Sequence, residues 1–348
     1  MTSTPAVWLA LLAASLFGAS TPFAKLLVGA MSPLLLGGLL YLGSGVGLTL
    51  ARLARDRGWR AAGLAPREWP WLLGAILSGG VLAPVALMVG LTSTPGATAS
   101  LLLNLESVLT ALLAWVVFNE NADPRILLGM VAIVAGGILL SWPTGEVGVA
   151  AGLGPLAIAG ACLCWAIDNN LTRHVSAADA LFIAGTKGLM AGGVNCALAL
   201  AWGMSLPAPL TLLGTMLVGL LGYGISLVLF VLALRGLGTA RTGAYFAIAP
   251  FIGVVVALLL LGEPTSPTFW VAGALMAGGV WLHLTERHGH DHGHAPLTHQ
   301  HPHSHDPHHQ HDHDANGAGQ EPHDHRHTHV SMRHTHPHFP DIHHRHRH

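Results

Sequence analysis

The chain has very little charge. Lysine, arginine, aspartate and glutamate together make up 9% of its 348 residues, against roughly a quarter in soluble globular domains. Hydrophobic residues reach 51%, and the mean hydropathy is +0.53. This composition excludes an ordinary soluble domain and gives no basic surface for nucleic acid. It predicts a protein that lies mostly in a lipid bilayer.

Cysteine is also scarce, and no motif of a known enzyme class is present. The three cysteines all fall within apolar stretches, where a thiol usually behaves as a small hydrophobic group; they are Cys162, Cys164 and Cys196. The sequence contains no His-Glu-x-x-His helix and no Gly-rich phosphate loop followed by lysine. We therefore predict that the protein is not an enzyme.

Apolar stretches separated by short loops fill the chain as far as residue 285. Each is close to the roughly 17–25 residues that a membrane-spanning helix needs. The ten predicted spans are Ala6–Val28, Pro33–Ala51, Trp71–Leu91, Ala97–Phe118, Ile126–Trp142, Leu153–Leu171, Ala180–Trp202, Leu210–Leu234, Gly243–Leu261 and Phe269–Leu284. The predicted fold class is an all-α integral membrane protein.

The ten spans form two copies of a five-helix unit, at residues 6–142 and 153–285. In the clearest match, Ala97–Leu139 aligns with Ala240–Leu282. Because five is odd, the two copies must have opposite orientations in the membrane. Inverted repeats around a central cavity are typical of secondary transporters, so the duplication predicts transport as well as fold.

Positive charge is confined to alternate loops. The second, fourth, sixth and eighth loops contain Arg52, Arg55, Arg57, Arg60, Arg67, Arg125, Arg173, Arg235 and Arg241, whereas the odd-numbered loops contain no lysine or arginine. The positive-inside rule places the arginine-bearing loops in the cytoplasm. We therefore expect a multi-pass protein of a bacterial-type inner membrane with both termini cytoplasmic.

Few polar side chains lie within the spans, and ionisable groups there are costly enough to be functional candidates. Glu106 in the fourth span is suited to proton or cation coupling or to countering a substrate charge; alternatively it pairs with Lys187 or makes a packing hydrogen bond. Asp168 and Asn169 could line a cavity or cap the sixth span. The predicted transport or cavity residues are Glu106, Asn104, Asp168, Asn169, Lys187, Tyr223 and Tyr245.

The composition changes abruptly at His288, and 23 of the 25 histidines, all but His174 and His283, lie between His288 and the end of the sequence. We expect residues 288–348 to be a disordered tail, and histidine-rich tracts of this kind bind metal. Imidazole suits nickel, zinc, cobalt and copper, so the tail does not name one metal. The predicted ligands are His288, His290, His292, His294, His299, His301, His303, His305, His308, His311, His313, His323, His325, His327 and His329.

Two segments carry a resemblance to a known family. The stretches ATASLLLNLESVLTALLAWVVFNENADPRILLGMVAIVAGGILL and TARTGAYFAIAPFIGVVVALLLLGEPTSPTFWVAGALMAGGVWL resemble the repeat of EamA-domain proteins in the drug/metabolite transporter superfamily. The first copy departs from the pattern where Ser107 aligns with Pro250 and Phe17 with Trp165. The resemblance implies a basket of ten helices, in a family that includes exporters of amino acids and other metabolites.

Together these features predict a secondary transporter that exports a small polar solute by alternating access, with a cytoplasmic tail that binds a divalent transition metal. One alternative is a transporter of nickel, cobalt or zinc ions. Another is a membrane-anchored metal buffer or sensor. The expected partners are the lipid bilayer and a small-molecule or ion substrate; no cofactor is required, and a homodimer is left open.

Overall fold

The structure is a computed structural model of the whole chain. It describes residues 4–58, 60, 62–118, 124–142, 150–175, 178–237, 242, 245–285, 289–294, 297–303, 323–329 and 332–337. Two compact units divide the chain, Met1–Glu286 and Arg287–His348. The first is helical in its described parts, and the second contains short strands.

The first repeat begins with two long helices. The Ser32 hydroxyl accepts the Leu35 N–H at 3.3 Å and caps the second of them, with Pro33 at its first position, a standard start for a helix. The elements are α1 (Thr4–Leu27), α2 (Pro33–Asp56), a 3₁₀ turn (Pro66–Glu68), α3 (Trp69–Ala75), a first π segment (Ile76–Leu82), α4 (Ala83–Ser93), α5 (Gly96–Leu102), α6 (Leu105–Phe118) and α7 (Pro124–Ser141).

The second repeat has the corresponding five spans, but its 3₁₀ turn follows the first span rather than the second. Its elements are α8 (Ala150–Thr172), a 3₁₀ turn (Arg173–Val175), α9 (Ala180–Ala201), α10 (Pro209–Gly219), a second π segment (Leu220–Ile225), α11 (Ser226–Leu237), α12 (Ala249–Leu261) and α13 (Pro267–Leu284). Gly262 ends α12 in the left-handed conformation, with φ at 60°. Every predicted span has a helical counterpart among the described residues, and seven helical stretches are long and apolar enough to cross a membrane.

Two of the predicted continuous spans are interrupted in the first repeat. The third span changes to π geometry over Ile76–Leu82, and the fourth breaks between α5 and α6. The third span of the second repeat also has a π segment, at Leu220–Ile225. Hydropathy does not distinguish a continuous helix from an interrupted one, because each interruption keeps its apolar residues. Short π stretches are frequent at functional sites.

The two repeats interleave through small residues. Helices α2 and α9 pack so closely that a Cβ on Gly45 would lie 2.5 Å from the Gly188 carbonyl carbon. Helices α7 and α13 meet in the same way, since a Cβ on Gly279 would lie 2.6 Å from the Gly129 oxygen. In lipid such close approach replaces the hydrophobic effect as the source of helix packing. At these two crossings the backbones of the two repeats are therefore in direct contact.

The described parts of the tail form two short antiparallel ribbons. Strand β1 (Gly289–His294) pairs antiparallel with β4 (Met332–Pro337), and β2 (Leu297–His303) pairs antiparallel with β3 (His323–His329). Histidine alternates with other residues through these segments, and this two-residue repeat matches the period of a β-strand. In the register of the second ribbon, His299, His301 and His303 lie opposite His327, His325 and His323.

Candidate transport site

The fourth span breaks next to its only acidic residue among the described positions. Helix α5 ends at Leu102 and α6 begins at Leu105. Asn104 closes the break, because its backbone N–H and its side-chain Nδ2 both donate to the Leu101 oxygen, at 3.0 and 2.9 Å. Glu106 therefore lies in the first turn of a helix, where the helix dipole favours a carboxylate.

The second repeat has a similar break but no acid there. Its fourth span, the ninth of the chain, turns at residues 247–248 before α12 begins at Ala249. In the alignment of the two copies, Ala249 takes the position of Glu106. The two halves are thus alike in backbone and different in charge. Discontinuous helices of this kind form substrate and ion sites in inverted-repeat transporters.

Glu106 has one hydrogen-bond donor among the described residues. Asn169 Nδ2 donates to Glu106 Oε1 at 2.9 Å and also lies 3.4 Å from Thr110 Oγ1. Glu106 is half-buried, whereas the side chain of Asn169 is exposed. The contact joins the fourth and sixth spans and leaves Oε2 available to a further donor.

A buried ion pair lies one residue away along the sixth span. Lys187 Nζ donates to Asp168 Oδ1 at 2.5 Å and to Oδ2 at 2.7 Å. The Thr172 hydroxyl donates to Asp168 Oδ1 at 2.8 Å. The side chains of Asp168 and Lys187 are 8% and 17% exposed, so water contributes little to their stabilisation. The lysine thus neutralises Asp168 rather than Glu106.

The first π segment supplies the wall behind this pair. A Cβ on Gly79 would overlap the Asp168 carboxylate, so only glycine leaves room for that side chain. The Gly79 carbonyl accepts from Tyr41 Oη at 2.8 Å and from Trp165 Nε1 at 3.0 Å. Helices α2, α8 and the π segment are fixed to one another at this carbonyl.

Tyr41, Trp165 and Gly79 are not among the residues that the sequence predicts for the site. A detectable signal was the glycine pair Gly79-Gly80 in the middle of an apolar span, which indicates close backbone approach. No sequence signal shows that the freed carbonyl is bonded by side chains from two other helices, because that depends on the packing.

Aromatic rings connect this region to the second repeat. The Tyr223 ring lies 5.5 Å from Tyr41 and 6.1 Å from Phe17, between ring centroids. Phe17 also contacts Phe246, at 5.4 Å. Tyr223 therefore joins the cluster, whereas Tyr245 is half-buried and has no hydrogen bond or ring contact with the described residues. Asn104 is buried and serves the helix break.

The structure thus brings the predicted residues together as two pairs, Glu106 with Asn169 and Asp168 with Lys187. Within the described part of the chain, no three His, Cys, Asp or Glu side chains form a group able to hold a metal ion. Of the predicted tail ligands, five lie outside the described residues: His288, His305, His308, His311 and His313. The other predicted tail ligands lie in the strands β1, β2 and β3.

Two interleaved five-helix repeats with charged groups beside a broken central helix define a membrane transporter. Comparison with known proteins agrees, because the EamA-like transporter family matches residues 4–142 and 152–285, and the chain belongs to this family. An uncharacterized transporter from Methanothermobacter thermautotrophicus is 28% identical over 282 residues, covering 76% of this chain and 82% of that protein. A solved crystal structure has a TM-score of 0.60 at 21% identity, covers 80% of this chain and 95% of the solved chain, and shares the fold.

Proposed function

We propose that the protein is a secondary transporter that exports a small polar solute across the inner membrane by alternating access. The arginine-bearing loops support cytoplasmic termini. With that orientation α1 runs outward, and the loops after α1, α4 and α12 lie outside the cell. Glu106 and Gly79 then lie near the middle of their helical stretches, whereas Asp168 lies in the last turn and a half of α8, toward its cytoplasmic end.

One observation carries this proposal, namely an acid that lies beside a broken helix and has no cationic partner among the described residues. Asp168 is neutralised by Lys187, whereas Glu106 receives only the neutral amide of Asn169 among the described residues. The site therefore has one negative charge when Glu106 is ionised. A proton, a metal cation or a cationic group of the solute would neutralise that charge, and release on the other side would restore it.

The tail is proposed to bind a divalent transition metal on the cytoplasmic side. Its support is the alternation of histidine through β1 to β4 and the opposition of histidines in both ribbons. A two-stranded ribbon is at best marginally stable in water, so a bound metal would add the stability that the sequence lacks. Nickel, zinc, cobalt and copper all suit imidazole ligands.

The proposal is tested by uptake into proteoliposomes of two sets of probes, radiolabelled amino acids and the ions of nickel, cobalt and zinc. The full chain is compared with Glu106→Gln and with a chain that ends at Arg287. We expect amino-acid uptake that is lost in Glu106→Gln and kept after truncation.

Other outcomes assign a different function. Metal uptake that requires Glu106 would make the ion the cargo, and a weaker apparent affinity after truncation would make the tail its donor. Metal that binds but never enters, with no amino-acid uptake, would indicate a membrane-anchored buffer or sensor. Uptake that is equal in wild type and Glu106→Gln would contradict the assigned site.

A further inference from the structure

We propose that Lys25 and Glu263 form an outer latch, a pair of charged side chains that closes the outer end of the bundle by holding the turn at residues 93–95. The proposal rests on the transport function above, since it assumes that this end is outer and that it opens. The turn joins the third and fourth spans of the first repeat. Lys25 belongs to the first repeat, like the turn, and Glu263 belongs to the second repeat.

Glu263 holds the beginning of the fourth span. Its Oε1 accepts the Gly96 N–H at 2.6 Å, and its Oε2 accepts the Ala97 N–H at 2.8 Å. These N–H groups lie in the first turn of α5 and have no partner within that helix, so a carboxylate there is favoured by hydrogen bonding and by the helix dipole. Both bonds cross from the second repeat to the first. Separation of the two repeats at this end must break them.

Lys25 holds the end of the third span. Its ammonium donates to the Leu91 oxygen and to the Thr94 oxygen, the latter at 2.9 Å. These carbonyls lie at the C-terminal end of α4, where a cation is favoured. Lys25 comes from α1, so the turn is fixed by opposite charges at its two ends. Each charge has the sign that the adjacent helix end favours.

The space around the turn allows movement. A cavity of about 380 Å³ opens beside it, with Lys25 and Thr92 in its wall. Gly96 fits the closed arrangement closely, because a Cβ there would lie 2.8 Å from Leu261 Cδ1 and the end of that side chain would have to shift. Neither charged side chain is fully buried, so each can exchange its protein partners for water. The hydrogen bonds of Lys25 and Glu263 hold the turn when this end is closed, and water can replace them when it opens.

The latch is tested by measuring one distance in the full-length protein. Spin labels are placed at Thr92→Cys and Pro264→Cys, both exposed positions, after the three native cysteines are replaced by alanine. We expect one short distance population in the otherwise wild-type protein. Glu263→Gln should add a longer population and raise the ratio of open to closed molecules about tenfold, equivalent to about 1.4 kcal/mol.

Glu68→Gln is the matched control, because Glu68 also accepts a backbone N–H, that of Ala65 at 2.7 Å, in a predicted cytoplasmic loop. It should leave the outer distance unchanged. Lys25→Met should shift the ratio in the same direction as Glu263→Gln, and it decides the result alone if Glu263→Gln does not fold.

If both latch variants give the distribution of Glu68→Gln, the latch is refuted. The measurement needs no solute. A refuted latch therefore leaves the transport proposal standing, and a failed transport assay leaves the distances interpretable.

Discussion

Breaking the buried pair of Asp168 and Lys187 should destabilise the bundle strongly, and removing both charges should restore much of the loss. Removal of one partner of a buried ion pair typically costs about 3–5 kcal/mol, because the other charge stays buried without compensation. The pair is 8% and 17% exposed, which places it in that class. Thr172 offsets part of the loss in either variant, since it still donates to Asp168 Oδ1 at 2.8 Å in Lys187→Met and still accepts from Lys187 Nζ at 3.3 Å in Asp168→Asn. The two single variants should therefore lose comparable stability.

The assay is thermal unfolding of the purified protein in detergent, on a cycle of Asp168→Asn, Lys187→Met and the double variant. Each kcal/mol corresponds to about 2–4 °C in Tm for chains of 150–250 residues. The control is Arg55→Met, since the Arg55 side chain is 47% exposed in its pairs with Asp56 and Asp179 and exposed pairs contribute about 0–1 kcal/mol each. The reasoning is refuted if each single variant costs no more than Arg55→Met, or if the double variant loses the sum of the two.

Three further predictions address other parts of the molecule. Gly79→Ala should cost about 1–3 kcal/mol of stability by overpacking against Asp168, whereas Gly193→Ala, which meets nothing within 4 Å, should be neutral in the same Tm assay. Burial alone would raise the pKa of the Asp179 carboxyl, but the hydrogen bonds from Arg55 and the Phe182 N–H hold that pKa below its ordinary value. Its contribution to stability is therefore complete above about pH 4 and is lost as the pH falls through the lowered folded pKa, so Tm should fall less steeply with acid in Asp179→Asn than in wild type. Truncation after Arg287 should abolish most zinc and nickel binding in calorimetry while leaving Tm in metal-free buffer unchanged; equal binding by both chains would place the metal elsewhere.

The sequence predicts the helices better than their interruptions. Hydropathy identifies the spans because a lipid-facing helix needs an apolar run of fixed length. It is insensitive to the π segments and to the break at Asn104, because those interruptions change hydrogen bonding and keep the apolar content. In the described parts of the tail, the two-residue alternation of histidine matches the period of the strands β1 to β4.

The candidate site was predictable as a set of residues but not as a set of partners. Polar groups in apolar spans identify Glu106, Asp168 and Lys187, because their burial is costly. Their pairing depends on which helices are neighbours, and α9 places Lys187 beside the sixth span rather than the fourth. Lys25 illustrates the same limit. Near the end of a span its ammonium could simply reach the membrane surface, and the structure instead directs it to the carbonyls that end α4.

The most direct test of alternating access is the reactivity of a cysteine at the candidate site from each side of the membrane. Asn169→Cys, in a background with the native cysteines replaced, puts a thiol beside Glu106; Leu259→Cys is the control, since Leu259 is 82% exposed on the apolar surface of α12. A membrane-impermeant maleimide is added to right-side-out and to inside-out vesicles. The account predicts labelling of Asn169→Cys from both sides and of Leu259→Cys from neither. Labelling of Asn169→Cys from one side only, or from neither, would contradict it.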